Sequence, residues 1–251
     1  EVAREVKKTH PKKWIVCLAY MTHASHPKQV KLEPNIAVQF CMPTYQAPYQ
    51  QHHVAHEIEL LKEWRKLEPQ RPLYLWLYSR YKNHLGNIAM PPYRYFPNFI
   101  AHAIGERFAL FQELKLSGMF HCGFGQEVEA QVTYQLMDDH ARSVDQLLDE
   151  YFTRLYGPAA APMLKLYQSI EQTYCDPKNY PDPVLKKRDE VVSWEYLGTA
   201  ARMAEWGKLL AQAKAAANTA EQRRQRELFE MGTWKYMTVG RELYLQKKGG
   251  N

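Results

Sequence analysis

Four short apolar runs punctuate the first half of the chain: WIVCLAY (14–20), NIAVQFC (35–41), PLYLWLY (72–78) and SGMFHCGF (117–124). Unbroken apolar runs of this length suit strands buried on both faces, as parallel strands are. Between the runs the period changes. Val54, Ile58 and Leu61, with Leu60, Trp64 and Leu67, recur at three- and four-residue spacing, and so do Ile100, Ile104, Phe108 and Phe111. Each set predicts one amphipathic helix, and Asn98 stands where it can cap the second. Pro91, Pro92 and Pro97 mark a long loop before it. The opening EVAREVKKTHPKKW reads as the end of an amphipathic helix closed by Lys7, Lys8 and Pro11, so the chain is expected to begin mid-fold. Strands alternating with helices predict βαβ units, right-handed crossovers and a parallel sheet. Four such units amount to half of a (β/α)8 barrel.

From residue 126 the periodicity is helical only. Val144, Leu148, Tyr151 and Leu155 form one stripe, ended by Gly157-Pro158, and Met163, Leu166, Ile170 and Tyr174 form another. The Pro-rich NYPDP (179–183) precedes two longer helical stretches, roughly 188–217 and 220–246, with a turn at Asn218-Thr219. The expected architecture is therefore α/β followed by all-α: a partial (β/α) barrel over 1–125 and a helical bundle over 126–251. There is no internal repeat of solenoid length.

Composition narrows the function classes. With 45% hydrophobic and 24% charged residues, and no apolar stretch of 18 residues, neither a disordered chain nor a membrane span is expected. The net charge of +6 is a mild excess, and the longest basic clusters, LKKR (185–188) and RRQR (223–226), are too short to indicate nucleic-acid binding. Cys17, Cys41, Cys122 and Cys175 show no CxxC pair and no zinc spacing; three lie in the apolar runs, where buried free thiols are expected. Residues 1–13 are charged rather than apolar, so no signal peptide is visible. The aromatic load is high, with 17 Tyr, 6 Trp and 9 Phe, which suits sugars, bases and helix packing alike.

The succession LAYMTHASHP, KLEPNIAVQFC, LYLWLYSRY, FPNF, ELKLSGMFHCG, SVDQLLDEYFTRLYGPAAAPM, WEYLGTAARM and TWKYM resembles a bacterial family of unknown function whose members are similar to α-glucuronidases. DEYFTRLYGPAA is its most specific piece. The resemblance implies a glycoside hydrolase with a TIM-type barrel followed by a helical region, of which this chain is the C-terminal part, the first strands lying outside it. It also implies a carbohydrate ligand, such as a poly- or oligosaccharide bearing uronic acids, and a periplasmic or secreted location; no cofactor is expected.

In a TIM-type barrel the functional groups stand at the C-terminal ends of the strands and in the loops that follow. Those positions here hold Tyr20, Thr22, His23 and His26; Gln39, Cys41 and Tyr45; Tyr78, Arg80 and Tyr81; and His121, Gln126, Glu127 and Glu129. Tyr20, His23, Gln39, Tyr78, Arg80 and Tyr81 are the candidate substrate-binding residues. Glycoside hydrolysis usually takes two carboxyl groups, about 5 Å apart for retention and further for inversion. Acids occur only after the fourth run, so Glu127 and Glu129 are the candidate acid or base, with His121 as a further proton-transfer group. Two residues apart, the two glutamates do not face each other across a glycosidic bond, and a partner is expected from the rest of the barrel. Either glutamate would also suit the first turn of a helix starting near 127. Relatives can carry acids where His121-Cys122 and Leu77 stand here, which makes a non-catalytic carbohydrate-binding or scaffold protein the alternative. His52 and His56 share a helix face at a spacing zinc can use, but Glu57 follows the second His, so HExxH is not met and no metal is expected.

Overall fold

The protein is described by a computed structural model over residues 1–43, 51–79, 95–124, 127–181 and 189–250. It divides into two compact units: one holds the described residues up to Ser79 together with 106–124, and the other holds 95–105 and everything from Glu127 onward.

The first unit is an α/β sheet unit. After α1 (Val2–Thr9), four strands, β1 (Ile15–Ala19), β2 (Ile36–Pro43), β3 (Leu73–Ser79) and β4 (Gly118–Phe124), form one sheet in the order β1-β2-β3-β4, every neighbouring pair parallel. The crossovers are α2 (Gln51–Leu67) after β2 and α3 (Ala101–Glu113) before β4. The register pairs Phe40 with Leu75 and Cys41 with Trp76, so the two faces can be read directly. On one, Val38, Phe40, Met42, Leu73, Leu75 and Leu77 are buried, as are Val54, Leu61 and Trp64 of α2, which packs on β2. Period-2 alternation puts Tyr74 and Trp76 on the other face, where they are half-buried, and Trp76 rests against Phe120 at a centroid distance of 4.4 Å. That face is apolar and partly open: Val16 and Leu18 are 53% exposed and Phe120 46%. Cys17, expected to be buried, is exposed because β1 lies at the sheet's edge and has a neighbour on one side only. Cys41, one strand further in, is buried.

The second unit is helical. It contains α4 (Glu127–Asp138), α5 (Val144–Tyr156), α6 (Ala160–Cys175), the short α7 (Asp189–Val191) running into a π-helical turn (Val192–Leu197), α8 (Ala200–Ala216), α9 (Ala220–Phe229) and α10 (Lys235–Gly249), the last two joined by a second π-helical turn. The stretch expected as one helix over 188–217 is interrupted at Gly198-Thr199, because the Thr199 side chain accepts from Arg202 N–H and starts a new helix. Thr219 and Gln222 form a capping box at the start of α9, and Ser143 and Gln146 form another at α5. Gly157 ends α5 at φ 52°, a left-handed conformation that glycine adopts at no steric cost. The aromatic load is spent largely here: Phe99 stacks on Tyr167 (4.5 Å), Phe152 packs on Tyr156 and Tyr167, and Phe96 lies against Trp194 and Trp206. No helix among the described residues is long and apolar enough to cross a membrane.

Candidate functional site

The strand-end residues of the sheet unit fall into distinct environments. Tyr20 follows β1 and is 43% exposed; a 3-10 turn (Met21–His23) then presents His23 to solvent, with Met21 itself at the unusual φ of 49°. His26 does not share that exposure: its ring packs edge-on against Trp64, its Nε2 lies 3.3 Å from Glu68 Oε1, and Trp64 Nε1 donates to the Ala24 carbonyl at 2.6 Å. The loop after β1 is thus tied down to α2 on one side and open on the other. Gln39, on the partly open face of the sheet, donates from Nε2 to the Leu75 carbonyl at 3.3 Å. His121 pairs with Leu77 in the register, which puts it on the face shared with Leu73, Leu75 and Leu77. Burial there pushes its imidazole down to about 4, so at neutral pH the ring is uncharged. Arg80, Tyr81 and Tyr45 lie outside the described residues, as does Gln126, and the side chains of Tyr78, His52 and His53 are likewise not described.

In the helical unit the two candidate glutamates part company. They stand two residues apart on a helix, so their side chains leave its axis about 200° apart. Glu129 is 3% exposed, with one carboxylate oxygen engaged in the fold and Oε2 buried without a hydrogen-bond partner among the described residues. Its Oε1 accepts from the Ile100 N–H (3.0 Å) and from the Tyr167 hydroxyl (2.6 Å). Next to it, Glu171 accepts from His102 N–H (2.8 Å) and His102 Nδ1 (2.7 Å), while His102 Nε2 faces Asp145 at 3.2 Å. Two buried carboxylates therefore cap the N-terminus of α3, satisfying backbone donors that begin a helix and meeting the positive end of its dipole. This is where Asn98 was expected to serve. Burial raises the Glu129 carboxyl to about 7, against the lowering effect of Tyr167 and the Ile100 amide. Hydrogen bonding to Glu171 raises His102 to about 9, so this imidazole is charged at neutral pH.

Glu127 is exposed and lines a cavity of about 310 Å³ with Gln131 of α4 and Leu147, Glu150, Tyr151, Arg154 and Leu155 of α5. The spacing explains the composition: 127 and 131 are one turn apart on α4, and 147, 150, 151, 154 and 155 form a single stripe on α5. Tyr151 is half-buried, and its hydroxyl is held well above the usual phenol range by burial and by the negative charge of the nearby Glu127 carboxylate. Glu150 is paired with Arg142. Arg154 forms no ion pair among the described residues. No cluster of three or more His, Cys, Asp or Glu among the described residues could hold a metal ion.

Of the three catalytic candidates, then, Glu127 lines a cavity among the described residues, while Glu129 is taken up in the α3 cap and His121 lies on the face shared with Leu73, Leu75 and Leu77. Glu150 and Arg154 were missed because the stripe through Val144, Leu148, Tyr151 and Leu155 reads as a core face, although Tyr151 and Leu155 stand at its half-buried edge. A second cavity, of about 460 Å³, lies along α6 and α8 and is lined by Lys165, Ser169, Glu205 and Lys208 among others; Trp206 closes it by donating Nε1 to Ser169 Oγ at 2.9 Å.

The family profile described as a domain of unknown function, DUF4838, matches residues 1–169. The chain belongs to that family. In this DUF4838 member the matched region takes in the whole sheet, α4, α5 and most of α6, and so includes every residue lining the Glu127 cavity. Comparison with curated proteins and with solved structures found no match.

Proposed function

We propose that this DUF4838 chain is a glycoside-hydrolase-like protein that acts on or binds carbohydrate, including saccharides bearing uronic acids, and that its sheet is part of a (β/α)8 barrel. Several observations support the barrel reading. The four strands are parallel and in sequential order, a winding that puts crossovers on one side of a sheet. The other face carries Val16, Leu18, Trp76 and Phe120, apolar residues of the kind that fill a barrel interior. The substrate class rests on the resemblance of motifs such as DEYFTRLYGPAA to a family whose members are similar to α-glucuronidases.

One observation carries the assignment of the acid or base: Glu127, which opens α4 three residues after β4 ends, lines a cavity, whereas Glu129 is buried in a helix cap and His121 lies on the buried side of the sheet. Screening the full-length parent, with the whole barrel that this reading requires, against neutral and uronic-acid-bearing oligosaccharides for newly released reducing ends tests it. Turnover is expected with at least one substrate, and Glu127→Gln is expected to lower it about 100-fold or more. The second reading, a non-catalytic carbohydrate-binding protein, is favoured by the loss of Glu129 to the fold; it predicts saccharide binding with no bond cleavage.

A further inference from the structure

Resting on the carbohydrate reading, we propose that the α5 wall of the Glu127 cavity, made by Glu150, Tyr151 and Arg154, receives the single terminal ring of a saccharide. The volume of about 310 Å³ sits at the bottom of the range for small-molecule pockets, roughly 300–1,000 Å³, which leaves room for one hydroxylated ring rather than a run of them. Its chemistry matches such a ring on each count. A sugar hydroxyl both donates and accepts, and the cavity supplies acceptors in the Glu127 and Glu150 carboxylates and donors in Gln131 and Arg154. Leu147, Leu155 and the Tyr151 ring give an apolar wall for the C–H face of a pyranose.

One of the polar groups is also held in advance, because Arg142 fixes Glu150. Pinning that carboxylate lowers the ordering cost of gripping a ligand. With Glu150 engaged, the Arg154 guanidinium is a cation of the cavity with no ion-pair partner among the described residues, and its planar fork suits a pair of ligand oxygens. Glu150 and Arg154 are thus the residues that choose the ring, while Glu127 is the acid or base.

Titration calorimetry of the full chain with the methyl glycosides of glucose, galactose, xylose and glucuronic acid, and with their oligosaccharides, is the test. At least one methyl glycoside is expected to bind, with Arg154→Ala and Glu150→Gln each weakening it about 10-fold or more. Lys165→Ala, in the other cavity, is expected to leave it unchanged, and the melting temperatures of all three variants should match the wild type. Binding that survives both α5 substitutions would overturn the assignment of this wall while leaving the carbohydrate reading intact. Binding of oligosaccharides but of no methyl glycoside would overturn the single-ring specificity alone. No binding or turnover of any saccharide would overturn both.

Discussion

The sheet unit and the helical unit solve opposite problems. The first leaves apolar side chains outside: Val16, Leu18 and Phe120 are about half exposed on one face of a parallel sheet, although parallel sheets are normally covered on both. The second takes ionisable groups inside: Glu129 and Glu171 are buried beneath the first turn of α3, among Phe99, Tyr167 and Phe152. An uncovered apolar face contributes little to folding and is available for association. A buried carboxylate contributes only through the groups that satisfy it, and it specifies one arrangement of them. The difference teaches where to look for function, since Glu129 is committed to architecture while Glu127, two residues away, is free to meet a ligand.

Four perturbations would break or sharpen this contrast. The largest effect is expected from Phe99→Ala, which removes a ring stacked on Tyr167 in the closed helical core and should cost about 3–5 kcal/mol in urea unfolding. Glu129→Ala comes next, at about 2–3 kcal/mol, because the Ile100 N–H and the Tyr167 hydroxyl lose their acceptor while staying buried; Glu129→Gln keeps one acceptor oxygen and should cost less than half as much.

The third perturbation is pH, which should act with opposite sign on His121 of the sheet unit and on Glu129 and His102 of the helical unit. Glu129 (raised to about 7) and His102 (raised to about 9) have folded values above their unfolded ones. Their contributions are complete below about 4.5 and 6.5 respectively, and are lost as pH rises through 7 and then 9. His121 is depressed to about 4, so its contribution is complete above 6.5 and is lost as pH falls toward 4. Ring-proton NMR titrations check this site by site: midpoints for His102 and His121 on the same side of 6.5 would break the contrast. The smallest effect is expected from Leu18→Ser on the open face, within about 0.5 kcal/mol. A cost above about 1.5 kcal/mol would mean that the face is covered in solution.

Much of the sheet was legible in the sequence. The four apolar runs coincide with β1 to β4 to within two residues at either end, and the alternation in PLYLWLY sorted Leu73, Leu75 and Leu77 from Tyr74 and Trp76 correctly. An apolar run does not say whether its strand has neighbours on both sides, and so Cys17 at the edge was misjudged. The break at Gly198-Thr199 was visible only as a weak cap inside a strongly helical pattern. The different fates of the two glutamates were within reach: Val128, Val132 and Leu136 mark the buried stripe of α4, and Glu129 falls on it beside Thr133 while Glu127 and Gln131 sit at its margin. What no periodicity could supply is the partner set, because Ile100, His102, Tyr167 and Glu171 come from segments up to 71 positions apart.

The central claim is that opposite faces of one helical turn divide ligand chemistry from architecture. The most direct test measures saccharide binding and melting temperature together for the wild type, Glu127→Gln and Glu129→Gln. The expected result is that Glu127→Gln weakens binding at an unchanged melting temperature, whereas Glu129→Gln lowers the melting temperature and leaves the affinity of the folded protein intact. Unchanged saccharide binding in Glu127→Gln, or weakened binding in a fully folded Glu129→Gln, would contradict it.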